Sequence, residues 1–96
     1  MAWAVIYHTG VKNDLHELGN SRAKKVLRVI EERIINGEPD KSGKLLAGNL
    51  AGYRRIRTGD MRIIYRVIED KIEIFIIAIG KRRDEEVYDL AVRRVL

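Results

Sequence analysis

The sequence predicts an α+β domain: a small antiparallel-meander sheet with an N-terminal strand, an N-terminal helix hairpin packed on one face, and a C-terminal helix, in the order β-α-α-β-β-β-α. Three observations predict it. Residues 52–66 read as two alternating runs joined at Gly59-Asp60; residues 63–68 and 72–79 are apolar, β-branched runs separated by Glu69-Asp70-Lys71; and two short segments near the N-terminus carry apolar residues at helical spacing. Ninety-six residues suit one domain, 1–96. A chain of this size buries roughly 60–70% of its unfolded surface, enough for one modest core.

In chain order, Ala2 to Tyr7 is continuously apolar and reads as a strand covered on both faces. Thr9 is placed to cap a helix on which Val11, Leu15 and Leu18 share a side, and Gly19 ends it. Asn20 or Ser21 starts a second helix with Ala23, Val26, Leu27, Ile30 and Ile34 as its inward stripe, stopped by Asn36-Gly37. Residues 37–51 hold the single Pro and several Gly, so they read as a loop anchored by Leu45, Leu46 and Leu50. The last helix begins near Asp84, with Asp84, Glu85 and Glu86 at its positive end and Arg93 and Arg94 at its negative end, as the macrodipole favours. Val87, Leu90, Ala91 and Val95 give it an apolar side.

The hairpin at residues 52–66 is the unusual stretch. Gly in the first turn position suits a two-residue type II′ or I′ turn, which sets Thr58 opposite Met61, Arg57 opposite Arg62, Arg55 opposite Ile64 and Tyr53 opposite Arg66. Alternate side chains share a face, so Tyr53, Arg55, Arg57, Arg62 and Arg66 project from one side of the ribbon. Like charges directly opposite on neighbouring strands repel, by up to about 1 kcal/mol. A surface that accepts this cost is one built to meet an anion.

Charge bookkeeping points the same way. Residues 52–83 hold nine Lys/Arg against four acids, while the rest of the chain is balanced at ten and ten, so the whole +5 lies in one third of the sequence. That clustering is the footprint of a polyanion-binding face. There is no cysteine, which excludes disulfides, a thiolate nucleophile and Cys-based zinc sites. The N-terminus lacks a basic n-region and cleavage pattern, and no apolar run is long enough to span a bilayer, so a cytoplasmic protein without membrane association is expected. His8 and His16 stand apart from any Ser, Asp or second His at a telling spacing and read as structural or exposed. No acid spacing suits a metal, no Gly-rich phosphate loop follows a strand, and no cofactor is implied.

Arginine, lysine and tyrosine remain. They suit RNA cleavage by attack of the ribose 2′-hydroxyl on the adjacent phosphate, because guanidinium groups neutralise charge on a five-coordinate phosphorus without a metal. Tyr88, one turn into the last helix, is placed to stack a base or bond a phosphate.

Residues 50–65, containing Tyr-Arg-Arg-Ile-Arg-Thr-Gly-Asp-Met-Arg-Ile-Ile-Tyr, and residues 76–88, Ile-Ile-Ala-Ile-Gly-Lys-Arg-Arg-Asp-Glu-Glu-Val-Tyr, closely resemble the RelE branch of the RelE/ParE toxin superfamily of type II toxin-antitoxin systems. The N-terminal strand and helix pair fit as well, so the resemblance covers nearly the whole chain. It implies a toxin, restrained by a cognate RelB-like antitoxin, that enters the ribosomal A site and cuts mRNA there. By position, Arg62 would stabilise the phosphate in the transition state, Arg82 would protonate or stabilise the leaving oxygen, and Tyr88 would stack on and orient the mRNA. Arg55 and Arg57 occupy strand positions where RelE enzymes place basic residues. Arg54, Arg57, Arg66, Arg83, Tyr53 and Lys44 complete the expected RNA-binding set.

One departure matters. The best-studied members carry on that strand a lysine proposed as general base, whereas this chain offers Arg54, Arg55 and Arg57, and arginine stays protonated at cellular pH. Water or Lys81 takes the proton, or the bound geometry suffices, or the chain does not cleave RNA. The alternatives are a ParE-like toxin inhibiting DNA gyrase and a non-catalytic nucleic-acid-binding relative. The antitoxin is expected to wrap the sheet edge and helix hairpin with an apolar amphipathic segment and to bring acids toward the basic face. Operator DNA would be bound only through it.

Overall fold

The computed structural model describes residues 2–81 and 86–95. One five-stranded sheet runs through them in the order β1-β5-β4-β3-β2. Strand β1 (Ala4–Tyr7) lies parallel to β5 (Glu73–Lys81); β3 (Tyr53–Thr58), β4 (Met61–Ile68) and β5 form the antiparallel meander; and β2 (Lys44–Leu45) closes the far edge against β3. Helices α1 (Val11–Leu18) and α2 (Asn20–Val29) form the N-terminal hairpin, and α3 (Glu86–Val95) is the last element.

The hairpin register is the one the two-residue turn dictates: Tyr53 opposite Arg66, Arg55 opposite Ile64, Arg57 opposite Arg62 and Thr58 opposite Met61. Gly59 has φ 58° and Asp60 does not share it, the φ pattern of a type II′ turn. Arg22 at the start of α2 holds this turn through Asp60, Nη2 to Oδ2 at 3.0 Å, and that hydrogen bond draws the Asp60 carboxyl below its usual range.

Side chains of opposite parity build two cores. On one face Val11 and Leu18 of α1, with Val26, Ile30 and Ile34 of the second helix, pack on Ile56, Met61, Ile63, Tyr65, Ile74, Ile76 and Ile79. On the other face Val87 and Ala91 of α3 pack on Tyr53, Ile64, Ile77, Ala78 and Leu50. A β-bulge between Ile64 and Tyr65 lets β5 keep both faces apolar. Helix α3 therefore covers the half of the arginine face nearest β5 and leaves the half nearest β2 open.

Several expectations are corrected. Strand β1 is an edge strand, with Ile6 and Tyr7 exposed, because among the described strands only β5 flanks it. Thr9 makes no cap bond. Gly10 occupies the N-cap of α1, and its N–H donates to His8 Nδ1 at 3.0 Å. Leu27 is 43% exposed, since it falls outside the Val26–Ile30–Ile34 stripe. The second helix continues as a π-helical turn over Ile30–Ile35, which closes with Asn36 N–H to Glu31 O, and its last carbonyl accepts from Trp3 N–H at 3.0 Å. The loop before β3 contains β2 and a short 3-10 turn, Gly48–Leu50. The expected start of the last helix near Asp84 lies outside the described residues.

Tyr65 ties that loop to the sheet. Its hydroxyl shares its proton between the carbonyls of Pro39 and Ser42, both at 2.9 Å, and Gly43 passes so close that a Cβ there would stand 2.7 Å from Arg55 O. Burial pushes the Tyr65 hydroxyl up to about 12. The unfolded value is about 10, so this contribution to stability is fully present below about pH 10 and is lost as the pH rises towards 12. Tyr65→Phe is expected to cost about 0.5–1.5 kcal/mol at neutral pH. Urea melts of the variant should also show a smaller loss of stability above pH 10 than the wild type, the remainder including the half-buried Tyr7 hydroxyl, whose pKa burial also raises.

Candidate RNA-binding site

The open half of the arginine face is a groove of about 610 Å³, lined by Arg55, Arg57, Arg62 and Tyr88 together with Lys44, Leu45, Leu46, Ala47, Asn49, Leu50 and Val92. Among the described residues that line it, four are basic and none is acidic. Strand parity sets the basic wall: Arg55, Arg57 and Arg62 alternate with the core residues Ile56 and Ile63, which point to the helix hairpin.

The geometry converges on one oxygen. Tyr88 Oη accepts from Arg62 Nη1 at 2.7 Å and from Arg55 Nη1 at 3.0 Å, and the Arg62 guanidinium lies 5.3 Å from the Tyr88 ring centroid. A phenol oxygen has two lone pairs, and both are engaged by cations. The Nε atoms of Arg55 and Arg62 are buried without a hydrogen-bond partner. An unsatisfied buried donor costs about 1–3 kcal/mol, so these two side chains have donor capacity that the protein alone leaves unused. The arrangement is that of an anion clamp in which a neutral phenol oxygen stands where an anionic oxygen would be held more strongly.

Helix α3 delivers Tyr88, and a buried ion pair fixes α3. Arg94 Nη1 and Nη2 reach Asp14 Oδ2 and Oδ1 at 2.7 and 2.8 Å, a bidentate fork, and Nη1 also donates to Ile77 O at 2.9 Å. Asp14 Oδ2 accepts from Ile79 N–H at 3.1 Å. Strand β1 stops pairing at Ile76, and the two side chains take over the backbone groups that β5 presents beyond it. The sequence marks Arg94 as a dipole partner and gives Asp14 no separate role; its one signal is that Asp14 falls three residues after Val11 and four before Leu18, on the apolar stripe of the helix.

The structure brings together Arg55, Arg57, Arg62, Tyr88 and Lys44. Four other described candidates, Tyr53, Arg54, Arg66 and Lys81, do not join them. Tyr53 is buried beneath α3 and has no face free to stack a base. Arg54 points to the opposite side of the sheet, where Nη1 donates to Ser42 O at 3.2 Å. Arg66 is exposed on the same face but beyond the groove. Lys81 pairs with Met61 on the other side of the sheet and lines a separate cavity with Asp14, Glu17 and Glu86. Arg82 and Arg83 lie outside the described residues. The described residues contain no cluster of three His, Cys, Asp or Glu able to hold a metal, and no helix among them is long and apolar enough to cross a membrane.

The chain is similar to several known proteins. The profile of the family described as ParE toxin of type II toxin-antitoxin system, parDE, matches residues 5–86. The mRNA interferase toxin RelE of Escherichia coli K12 is 35% identical over 74 residues, 76% of this chain and 72% of the relative. The chain belongs to the RelE branch of the RelE/ParE toxin superfamily. Toxin RelG of Mycobacterium tuberculosis is 29% identical over 87 residues, 88% of this chain and 95% of that one. In a RelBE toxin–antitoxin complex from the same organism, a solved chain superimposes with a TM-score of 0.78 at 27% identity, covering 85% of this chain and 100% of that chain. This protein is thus a RelE-family toxin of a toxin–antitoxin system.

Removing one member of a buried ion pair costs about 3–5 kcal/mol. Asp14→Ala is expected to lower urea stability by that amount. Because α3 then loses its fastening, the fluorescence of Trp3, which packs against the helix-hairpin core on the other face of the sheet, should change only with global unfolding, whereas hydrogen exchange in α3 should accelerate under native conditions.

Proposed function

We propose that this toxin is a ribosome-dependent endoribonuclease that cuts mRNA in the A site by 2′-hydroxyl attack on the adjacent phosphate. The observation that carries the reading is the convergence of Arg55 and Arg62 on a single oxygen within an open basic groove. The relative named as an mRNA interferase supports the chemistry.

In this reading a phosphate oxygen displaces Tyr88 Oη, and the two guanidiniums, with their buried Nε donors, take the charge that grows on phosphorus. The 2′-oxygen forms a bond to phosphorus as the bond to the 5′-oxygen breaks, leaving a 2′,3′-cyclic phosphate and a 5′-hydroxyl. Tyr88, freed from the arginines, stacks on a base and orients the strand. Arg82 serves the leaving oxygen by its family position. Lys81 sits on the other side of the sheet from Arg62, so water is the better candidate to take the 2′-hydroxyl proton. No step requires a metal. The site lies in the cytoplasm with the ribosome, and a RelB-like antitoxin restrains it, as the complexes among the structural relatives suggest. Operator DNA is reached only through that antitoxin.

A second reading has its own support, because the matching family profile carries the ParE description: a toxin acting on DNA gyrase. Primer extension on mRNA in a translating extract separates the two. A-site cuts that persist in EDTA-treated, magnesium-restored ribosomes and fall about 10²–10³-fold in Arg62→Ala, the usual effect of losing one preorganised donor, support the nuclease. Intact mRNA together with double-strand DNA breaks would establish the gyrase reading instead.

A further inference from the structure

Of the four basic side chains that line the groove among the described residues, three are arginines, which keep their protons at cellular pH. Lys44 is the fourth. Tyr88 Oη already accepts from two of the arginines, no described acid lines the groove, and Asn49 there carries an amide. Lys44 is thus the one described lining residue whose nitrogen can be a free base. The backbone fixes it on the arginine side. β2 pairs with β3 so that Lys44 stands directly opposite Arg55, and residues directly opposite share a face of the sheet with Cβ atoms about 4.5–5.5 Å apart. Leu45, opposite Arg54, takes the other face. Just ahead of Lys44, Ser42 O accepts from Tyr65 Oη at 2.9 Å and from Arg54 Nη1 at 3.2 Å. Gly43, at φ 74°, then passes so close to Arg55 O that a Cβ would stand 2.7 Å from it. Arg54 and Tyr65, both turned away from the groove, therefore anchor the chain two residues before the lysine that enters it.

Attack by a 2′-hydroxyl needs such a nitrogen. A water that takes the hydroxyl proton becomes hydronium unless a stronger base stands behind it, and a groove lined by guanidiniums disfavours a further cation. We propose that Lys44 is that base: its free amine takes a proton from the water as the water takes one from the 2′-hydroxyl. The 2′-oxygen bonds to phosphorus, the bond to the 5′-oxygen breaks, and that oxygen picks up a proton from water. The Lys44 ammonium then returns its extra proton to solvent, which closes the cycle. Strand order suits the assignment. Arg62 on β4 and Arg55 on β3 hold the phosphate, and β2 is the next strand out, so Lys44 flanks the clamp on the side away from β5. The inference rests on reading this groove as the RNA-cleavage site, and it leaves both arginines their task at the phosphate.

The test is single-turnover cleavage of mRNA on purified programmed ribosomes by wild type, Lys44→Ala, Lys44→Arg and the loop control Lys41→Ala. Lys44 is exposed, so its replacement leaves the core untouched, and circular dichroism checks that each variant is folded. Lys44→Arg keeps the charge and loses the base. Both Lys44 variants are expected to lower the saturated rate by about 10²-fold or more, the usual contribution of a general base, while Lys44→Arg keeps the half-saturating concentration of the wild type. Added ethylamine should restore cleavage by Lys44→Ala in proportion to its free-base concentration, hence more strongly at higher pH. Tetramethylammonium, a cation with no proton to exchange, should restore nothing. Lys41→Ala, which loses only an exposed contact with Glu38, should cut as the wild type does. Cleavage by Lys44→Arg at the wild-type rate would overturn the inference and leave Lys44 a charge that draws in the RNA. A Lys44→Ala defect confined to the half-saturating concentration, or equal rescue by tetramethylammonium, would overturn it as well, and in each of these cases the nuclease reading stands. Absence of mRNA cleavage by wild type would overturn that reading itself.

Discussion

The register of the β3–β4 hairpin governs the rest of this molecule. Strand side chains alternate, so a slip of one residue at Gly59-Asp60 would send Arg62 into the core under the helix hairpin and bring Ile63 into the groove. The two-residue turn forbids the slip, and the apolar residues Ile56, Met61, Ile63 and Tyr65 enforce it from the opposite face. The same register that places Arg57 against Arg62 puts Arg55 within reach of the same tyrosine. Electrostatic repulsion within the ribbon is thus a consequence of core packing on its far side, and it is tolerated because Tyr88 draws two of the charges to one acceptor.

Much of this layout was legible in the sequence because it depends on short-range rules. Gly59 and the alternation on either side of it fix the pairing and the shared arginine face. What was not legible depends on which element lies over which. Ala2 to Tyr7 has the composition of a buried strand, yet it became an edge strand, since composition does not reveal how many strands flank it. Tyr53 has the same parity as the arginines but lies under α3, and the position of α3 over that face follows from Val87 and Ala91 meeting Ile64 and Ala78, a long-range match. Arg54 has the opposite parity and is taken up by Ser42 O. Lys81 is distinguished from its neighbours only by parity on β5, which the bulge at Ile64/Tyr65 obscures in the sequence.

Asp14 and Arg94 show how the fold replaces strand pairing with side chains. Where β1 ends, β5 would expose an N–H and a C=O to an apolar surrounding; a carboxylate and a guanidinium from two different helices take them instead. Such a pair contributes little net stability relative to an apolar alternative. Its effect is on geometry, because four groups from α1, β5 and α3 must meet within hydrogen-bonding distance, and this leaves α3 a single angle across the sheet.

That fastening lies at the C-terminal end of α3, whereas Tyr88 lies in its first turn, about 9 Å along the axis. Val87, its neighbour in the first turn, is buried against the core and passes so close to Gly80 that a Cβ there would stand 3.0 Å away. The phenol is therefore steadied from both ends of its helix, by close packing at one and by the Asp14–Arg94 fork at the other, so the aim of the arginine–tyrosine cluster is set by groups that never enter the groove.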